Sequence, residues 1–126
     1  MFLINTIEQF GRNAGTIWEL LSEHESLQPN ELKEKSQLRD YEINIGIGWL
    51  ARENKIAKDD KIYYLSETNL TESIGLTAGK IYDALSEKEK IQLNQLQSTT
   101  KLSESLFYQA IGWLAREGKI QLHLQQ

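Results

Sequence analysis

The hexapeptide GWLARE occurs twice, at Gly48–Glu53 and at Gly112–Glu117, 64 positions apart. A repeat of fixed period means one supersecondary unit used more than once, and it decides the fold before any local reading does. Shifting the chain by 64 extends the match without a gap. Asn5, Glu8 and Gly11 fall on Asn69, Glu72 and Gly75, and AGTIW at Ala14–Trp18 falls on AGKIY at Ala78–Tyr82. LSEHE at Leu21–Glu25 falls on LSEKE at Leu85–Glu89, and Gln28, Asn30, Leu32 and Leu38 recur as Gln92, Asn94, Leu96 and Leu102. Lys55-Ile56 recurs as Lys119-Ile120. The chain divides into a first unit, residues 1–66, and a second, residues 67–126.

Units of about 60 residues bury only about 60% of the surface their unfolded chain exposes, so two of them on a short linker are expected to lean on each other. The 126 residues include no cysteine, which removes disulfides and thiolate metal sites and fits a reducing compartment. No apolar run approaches the roughly 20 residues that span a bilayer. The opening Met1–Ile4 is too short for a signal peptide. The expected location is the cytoplasm, with no membrane partner. Net charge is −4, with 8 Lys/Arg against 11 Asp/Glu in the first 64 residues and 6 against 7 in the remainder. Both units repel nucleic acid in bulk.

Apolar residues stepping by three and four predict a first helix over Thr6–Glu23, with Ile7, Phe10, Ala14, Ile17 and Leu21 on one face. Ile74, Ala78, Ile81 and Leu85 repeat it. Gly11, Gly15, Gly75 and Gly79 fall inside these helices, where each costs about 1 kcal/mol against Ala. Either a second backbone passes close there or the first turn is frayed. Ser26–Gln28 suits a very short strand, with Lys90–Gln92 its counterpart. Pro29 suits the first position of a second helix. That helix is brief, Asn30–Ser36 around Leu32, and Asn94–Thr99 around Leu96 repeats it. A third helix begins near Asp40, a residue suited to its N-cap, with Ile43, Ile47, Leu50 and Ala51 inward. In the second unit it begins at Ser103 or Glu104, with Phe107, Ile111, Leu114 and Ala115 inward. Asn54 and Gly118 sit where a left-handed C-cap residue is expected. Lys55–Lys58 and Lys61–Leu65 read as strands around an Asp59-Asp60 turn. The second unit carries only the first of these strands, Lys119–Leu124.

Helix, short strand, helix, turn, helix, hairpin is the order of a winged helix-turn-helix domain. The fold class expected is mainly α with small β-hairpins (α+β), two such units in tandem. The run from Leu38 through WLAREN-KI, or from Leu102 through WLAREG-KI, resembles the junction of recognition helix and wing in many bacterial regulators. AGKIY together with AIGWLAREGKI resembles a small bacterial winged-helix family of uncharacterised function, whose members mostly carry one such unit. The resemblance covers nearly the whole chain.

In that superfamily the third helix enters the DNA major groove and the wing touches the backbone. What the resemblance implies here is a set of DNA-contact candidates: Arg39, Tyr41, Asn44, Ser103, Ser105, Tyr108 and Gln109 on the third helices, with Lys58 and Lys61 on the wing. Asn44 and Gln109 have the chemistry to read adenine, Arg39 that to read guanine or phosphate. Against this, Asp40, Glu42 and Glu104 set carboxylates where phosphates would approach. Asp59 and Asp60 offset the wing lysines. The plainer alternative is an ordinary solvated helix face. Arg52 and Arg116 are expected to pair with nearby acids, and Trp49 and Trp113 to pack between units. Gly48 and Gly112 are expected to admit a close neighbour.

His24 and His123 stand alone in the sequence. No phosphate loop, nucleophile with its base, or small-molecule cofactor motif is legible. Two functions remain: a weak binder of double-stranded DNA acting as a regulator, which the superfamily resemblance puts first, and, as the alternative, a protein-interaction or assembly module. Lys119–Leu124 alternates Ile120, Leu122 and Leu124 with polar residues, and its inner edge is expected to pair with Lys90–Gln92. Its other edge is expected to be open. That makes Leu122 and Leu124 candidates for a homodimer interface, with Met1–Ile4 the alternative cover.

Overall fold

The computed structural model describes residues 6–86 and 91–121. The protein is mostly helical with one small antiparallel hairpin, the α+β class expected. Its first half contains α1 (Thr6–Glu23), α2 (Pro29–Ser36), α3 (Asp40–Arg52), β1 (Ile56–Asp59) and β2 (Ile62–Leu65). Its second half contains α4 (Leu76–Ser86), α5 (Leu93–Thr100) and α6 (Glu104–Arg116).

Helix α1 forms where its apolar period predicts, burying Phe10, Ala14, Ile17 and Leu21. Pro29 opens α2, and the Gln28 amide donates to Glu31 Oε1 at 2.9 Å, a side-chain cap for the helix start. Leu32 is fully buried. Asp40 is not the cap of α3 but its first residue. Arg39 is the cap, with its amide donating to Glu42 Oε1 at 3.0 Å. In α6 the cap is Ser103, whose hydroxyl accepts from the Leu106 amide at 3.3 Å.

Both third helices end alike. Asn54 takes φ 62° and Gly118 φ 72°. The Asn54 and Gly118 amides donate to Ala51 and Ala115, while those of Lys55 and Lys119 donate to Leu50 and Leu114. That is the double hydrogen bond of a Schellman cap.

The hairpin pairs Ile56 with Leu65 and Asp59 with Ile62, so its turn is Asp60-Lys61. Leu27 bridges Tyr63 of β2, not β1, with reciprocal backbone bonds of 3.0 and 2.9 Å. The short strand therefore lies beside the return strand of the wing, and β2 is central. The outer edge of β1 is taken by Asn69, which accepts from the Lys58 amide at 3.0 Å and donates to its carbonyl at 2.7 Å. Thr68 donates its amide to Asn54 Oδ1 at 2.8 Å, so the connection between halves is tied to the first wing and cap. Among the described residues of the second half no strand appears. Leu122, Leu124, Met1–Ile4 and the Lys90 end of the proposed pairing lie outside the described residues.

One further departure precedes α4. A continuous helix was expected; instead Thr71–Gly75 forms a π-helical turn, closed by the Leu76 amide on the Thr71 carbonyl. The wider turn carries Ile74 into the core of the first half, while Gly75 lies under the Trp113 ring.

The core has two lobes that exchange residues. The lobe of the first half takes in Leu70 and Ile74, and that of the second takes in Phe10 and Ile45. Phe10 and Ile74 are equivalent under the repeat, so the exchange is reciprocal.

Candidate functional site

The two copies of GWLARE meet each other. Helices α3 and α6 make the most extensive contact in the molecule. The touching residues give the geometry. Tyr41 faces Tyr108 with ring centroids 5.8 Å apart near the N-terminal ends, and Arg52 meets Glu117 at the C-terminal ends. The helices therefore run parallel, side by side. Contacts are reciprocal, as in an isologous interface between two subunits, here built within one chain.

The glycines permit it. A Cβ on Gly48 would lie 1.7 Å from the Gln109 carbonyl oxygen, and one on Gly112 would lie 1.9 Å from that of Ile45. Backbone touches backbone at both crossings, so Gly48 and Gly112 admit the neighbour expected of them. The glycines of α1 do not meet a second backbone. A Cβ on Gly11 would lie 3.2 Å from the Trp49 ring, and one on Gly75 3.0 Å from that of Trp113. Gly15 and Gly79 face open space. Both tryptophans are half-buried and pack against both lobes of the core, which makes them inter-unit packing residues.

Parallel helices place like dipole ends together, each worth about half an elementary charge. The sequence offsets that repulsion. Asp40, Glu42 and Glu104 occupy the N-terminal turns, and Arg52 and Arg116 the C-terminal turns. Arg52 Nε donates to Glu117 Oε2 and Arg116 Nε to Glu53 Oε2, both at 3.0 Å. Each carboxylate also has a lysine of its own unit nearby, Lys55 at 3.7 Å from Glu53 and Lys119 at 3.6 Å from Glu117. Each guanidinium lies over the other unit's tryptophan, Arg52 at 5.8 Å from Trp113 and Arg116 at 5.9 Å from Trp49. An exposed ion pair contributes only about 0–1 kcal/mol. These residues chiefly fix register.

Toward the N-terminal ends lies a polar node. Gln109 Nε2 donates to Asn44 Oδ1 at 3.0 Å and to the Tyr63 hydroxyl at 3.3 Å, while Asn44 Nδ2 donates to the Asp40 carbonyl at 3.0 Å. Burial raises the Tyr63 pKa above its ordinary value, partly opposed by the Gln109 bond. Tyr108 is raised by burial first, then by the Glu104 carboxylate and Tyr41. Buried Asn13 accepts from Gln9 at 2.9 Å and donates to Glu42 Oε2 at 3.2 Å, tying α1 to the start of α3.

The residues singled out from sequence thus separate. Asn44, Gln109, Tyr41 and Tyr108 are brought together, inside the inter-unit contact. Arg39, Ser103 and Ser105 are exposed at the N-terminal ends of the third helices. Lys58 is exposed on β1, its ammonium 5.7 Å from the Tyr63 ring, and Lys61 is exposed in the turn. Arg52 and Arg116 pair with acids as expected, but sequence reasoning missed that each acid belongs to the other unit's copy of the repeat. The available signal was that two residues of surface type stood unchanged in both copies.

Among the described residues no group of three His, Asp or Glu side chains is placed to hold a metal ion. No helix of the described residues is long and apolar enough to cross a membrane. A model of the winged helix-turn-helix domain family DUF2582 matches residues 6–69 and again residues 67–126. No curated protein and no solved structure matches the chain.

Proposed function

The chain belongs to the winged helix-turn-helix family DUF2582 in both halves, and from that premise we propose that it is a non-enzymatic protein-interaction module rather than a reader of DNA. The observation that carries this reading is the use of both third helices on two sides. One side of α3 and α6 packs into its own lobe of core, and another packs against its twin. A helix that reads a major groove presents its N-terminal half to base edges. Here Asn44 and Gln109, the two amides suited to adenine, are bonded to each other. The acids at the helix starts have a structural role in opposing the parallel dipoles. They also repel phosphate, as does the net charge of −4.

A DNA reading retains Arg39, Lys58, Lys61, Ser103 and Ser105 as exposed polar groups. The test is fluorescence anisotropy of labelled random-sequence and genomic duplex DNA at low salt. The expected titration is flat. Saturable binding that weakens as salt rises would overturn the protein-interaction reading in favour of a regulator.

A further inference from the structure

Of the eight glycines in the chain, six have a structural reason. Gly11 and Gly75 lie under tryptophan rings, a Cβ on Gly46 would lie 2.5 Å from the Ile17 side chain, Gly48 and Gly112 form the helix crossing, and Gly118 has φ +72°. Gly15 and Gly79 have none; a Cβ on either would meet nothing within 4 Å. Both are helix-interior residues, where glycine is the costliest ordinary choice. Three residues after each stands an exposed aromatic, Trp18 at 42% and Tyr82 at 39%. Steps of three and four put these on one helix face with the acids Glu19 and Asp83 and with Ser22 and Ser86.

The two faces match in residue type at each position. Gly15, Trp18, Glu19 and Ser22 fall on Gly79, Tyr82, Asp83 and Ser86, all exposed. The serine hydroxyls make the same bond, to the carbonyls of Glu19 and Asp83, both at 2.7 Å. Exposed positions elsewhere are only partly kept: Gln28 and Asn30 recur as Gln92 and Asn94, while others have diverged. Lys33, Glu34 and Lys35 on α2 stand opposite Gln97, Ser98 and Thr99 on α5. A surface pattern held in both halves, at a cost in helix stability and with no internal contact to explain its glycine, points to something outside the chain.

The second copy shows what chemistry the ring position takes. Lys119 holds its ammonium 5.1 Å from the Tyr82 ring centroid. Over Trp18, the better cation–π platform, no cation of the described residues is placed. We propose that the Gly15–Trp18–Glu19 face of α1 docks a basic segment of a protein partner. A lysine or arginine of that segment lies over the ring beside the carboxylate, and its backbone passes over the bare glycine. The charge selects the occupant: an exposed ring beside carboxylates on a chain of net charge −4 attracts a cationic segment and repels nucleic acid. This deepens the protein-interaction reading and rests on it.

The test is a titration of the full chain with a short peptide of alternating lysine and alanine, against a glutamate–alanine control, followed by the tryptophan indole resonances. The lysine peptide is expected to shift Trp18 and to leave Trp49 and Trp113 in place as internal controls. With affinity read by isothermal titration calorimetry, which needs no indole reporter, Trp18→Ala should weaken binding about fivefold, and Trp18→Phe should restore most of it. Gly15→Leu should weaken it while leaving the chain folded. Equal binding of the glutamate peptide, shifts confined to Trp49 or Trp113, or an unchanged affinity in Trp18→Ala would each overturn the site. A Trp18 shift with protein concentration alone would make a second copy the occupant and overturn the basic-segment claim. If duplex DNA binds, the broader reading fails; if it does not and Trp18→Ala is silent, this site alone fails.

Discussion

Arg52 of the first unit bonds Glu117 of the second at 3.0 Å, and the repeat returns the contact from Arg116 to Glu53 at the same distance. Four of the six residues of each GWLARE copy, Gly, Trp, Arg and Glu, are therefore among those through which the halves meet, while its Leu and Ala pack in their own lobe. A surface that must match itself across a pseudo-two-fold axis keeps the same residues on both sides, which accounts for their identity.

The helix crossing is the contact least able to absorb change. In Gly48→Ala the new Cβ falls 1.7 Å from a backbone carbonyl that no side-chain rotation can move. The helices must separate, and the expected loss in urea denaturation is about 3 kcal/mol or more. Gly15→Ala is the matched control. It adds the same methyl to open space, and its unfolding free energy should rise by about 0.5–1 kcal/mol. Equal effects of the two substitutions would contradict the backbone contact.

The arginine pairs should contribute little individually. A double-mutant cycle on Arg52→Ala and Glu117→Ala is expected to give a coupling of about 0.2–1 kcal/mol that shrinks with added salt. Exchanging the charges as Arg52→Glu with Glu117→Arg should recover much of what Arg52→Glu alone loses.

Asn69 substitutes for a strand on the outer edge of β1. Asn69→Ala removes two hydrogen bonds to Lys58, at an expected cost of about 1–2 kcal/mol by thermal or chemical denaturation. It also bares a strand edge, so light scattering should show more self-association than the parent chain.

Tyr63 predicts a limit at alkaline pH. Its pKa is raised in the folded chain, so above the ordinary value of 10.0 the unfolded chain loses its proton first. The unfolded state then binds fewer protons than the native one, and stability falls as pH rises through that window. Its contribution is fully present below about pH 10. Midpoint temperatures across the range should decline less steeply in Tyr63→Phe. A parallel decline in both proteins would assign the effect elsewhere.

Because Leu70 and Ile74 complete the core of the first lobe, residues 1–66 expressed alone should be much less stable than the whole chain. Circular dichroism melts of each half against the full protein would decide this; halves as stable as the whole would mean the exchanged residues contribute nothing.

The sequence alone determined what depends on neighbours within a few residues. The period of 64 established two units, the apolar step of three and four located α1 at Thr6–Glu23, and the Asn54 and Gly118 positions marked the ends of α3 and α6. Helix periodicity and Schellman caps are local, so the chain states them directly. The partners of Gln109, Arg52 and Glu53 are not local; they lie some 46 to 65 positions away. On the page an amide, a guanidinium and a carboxylate have the same character facing water, DNA or a twin helix. Which of these they face depends on how closely two backbones approach. Only the packing of Gly48 and Gly112 decided that, by bringing α3 and α6 into contact and turning the expected reading helices toward each other.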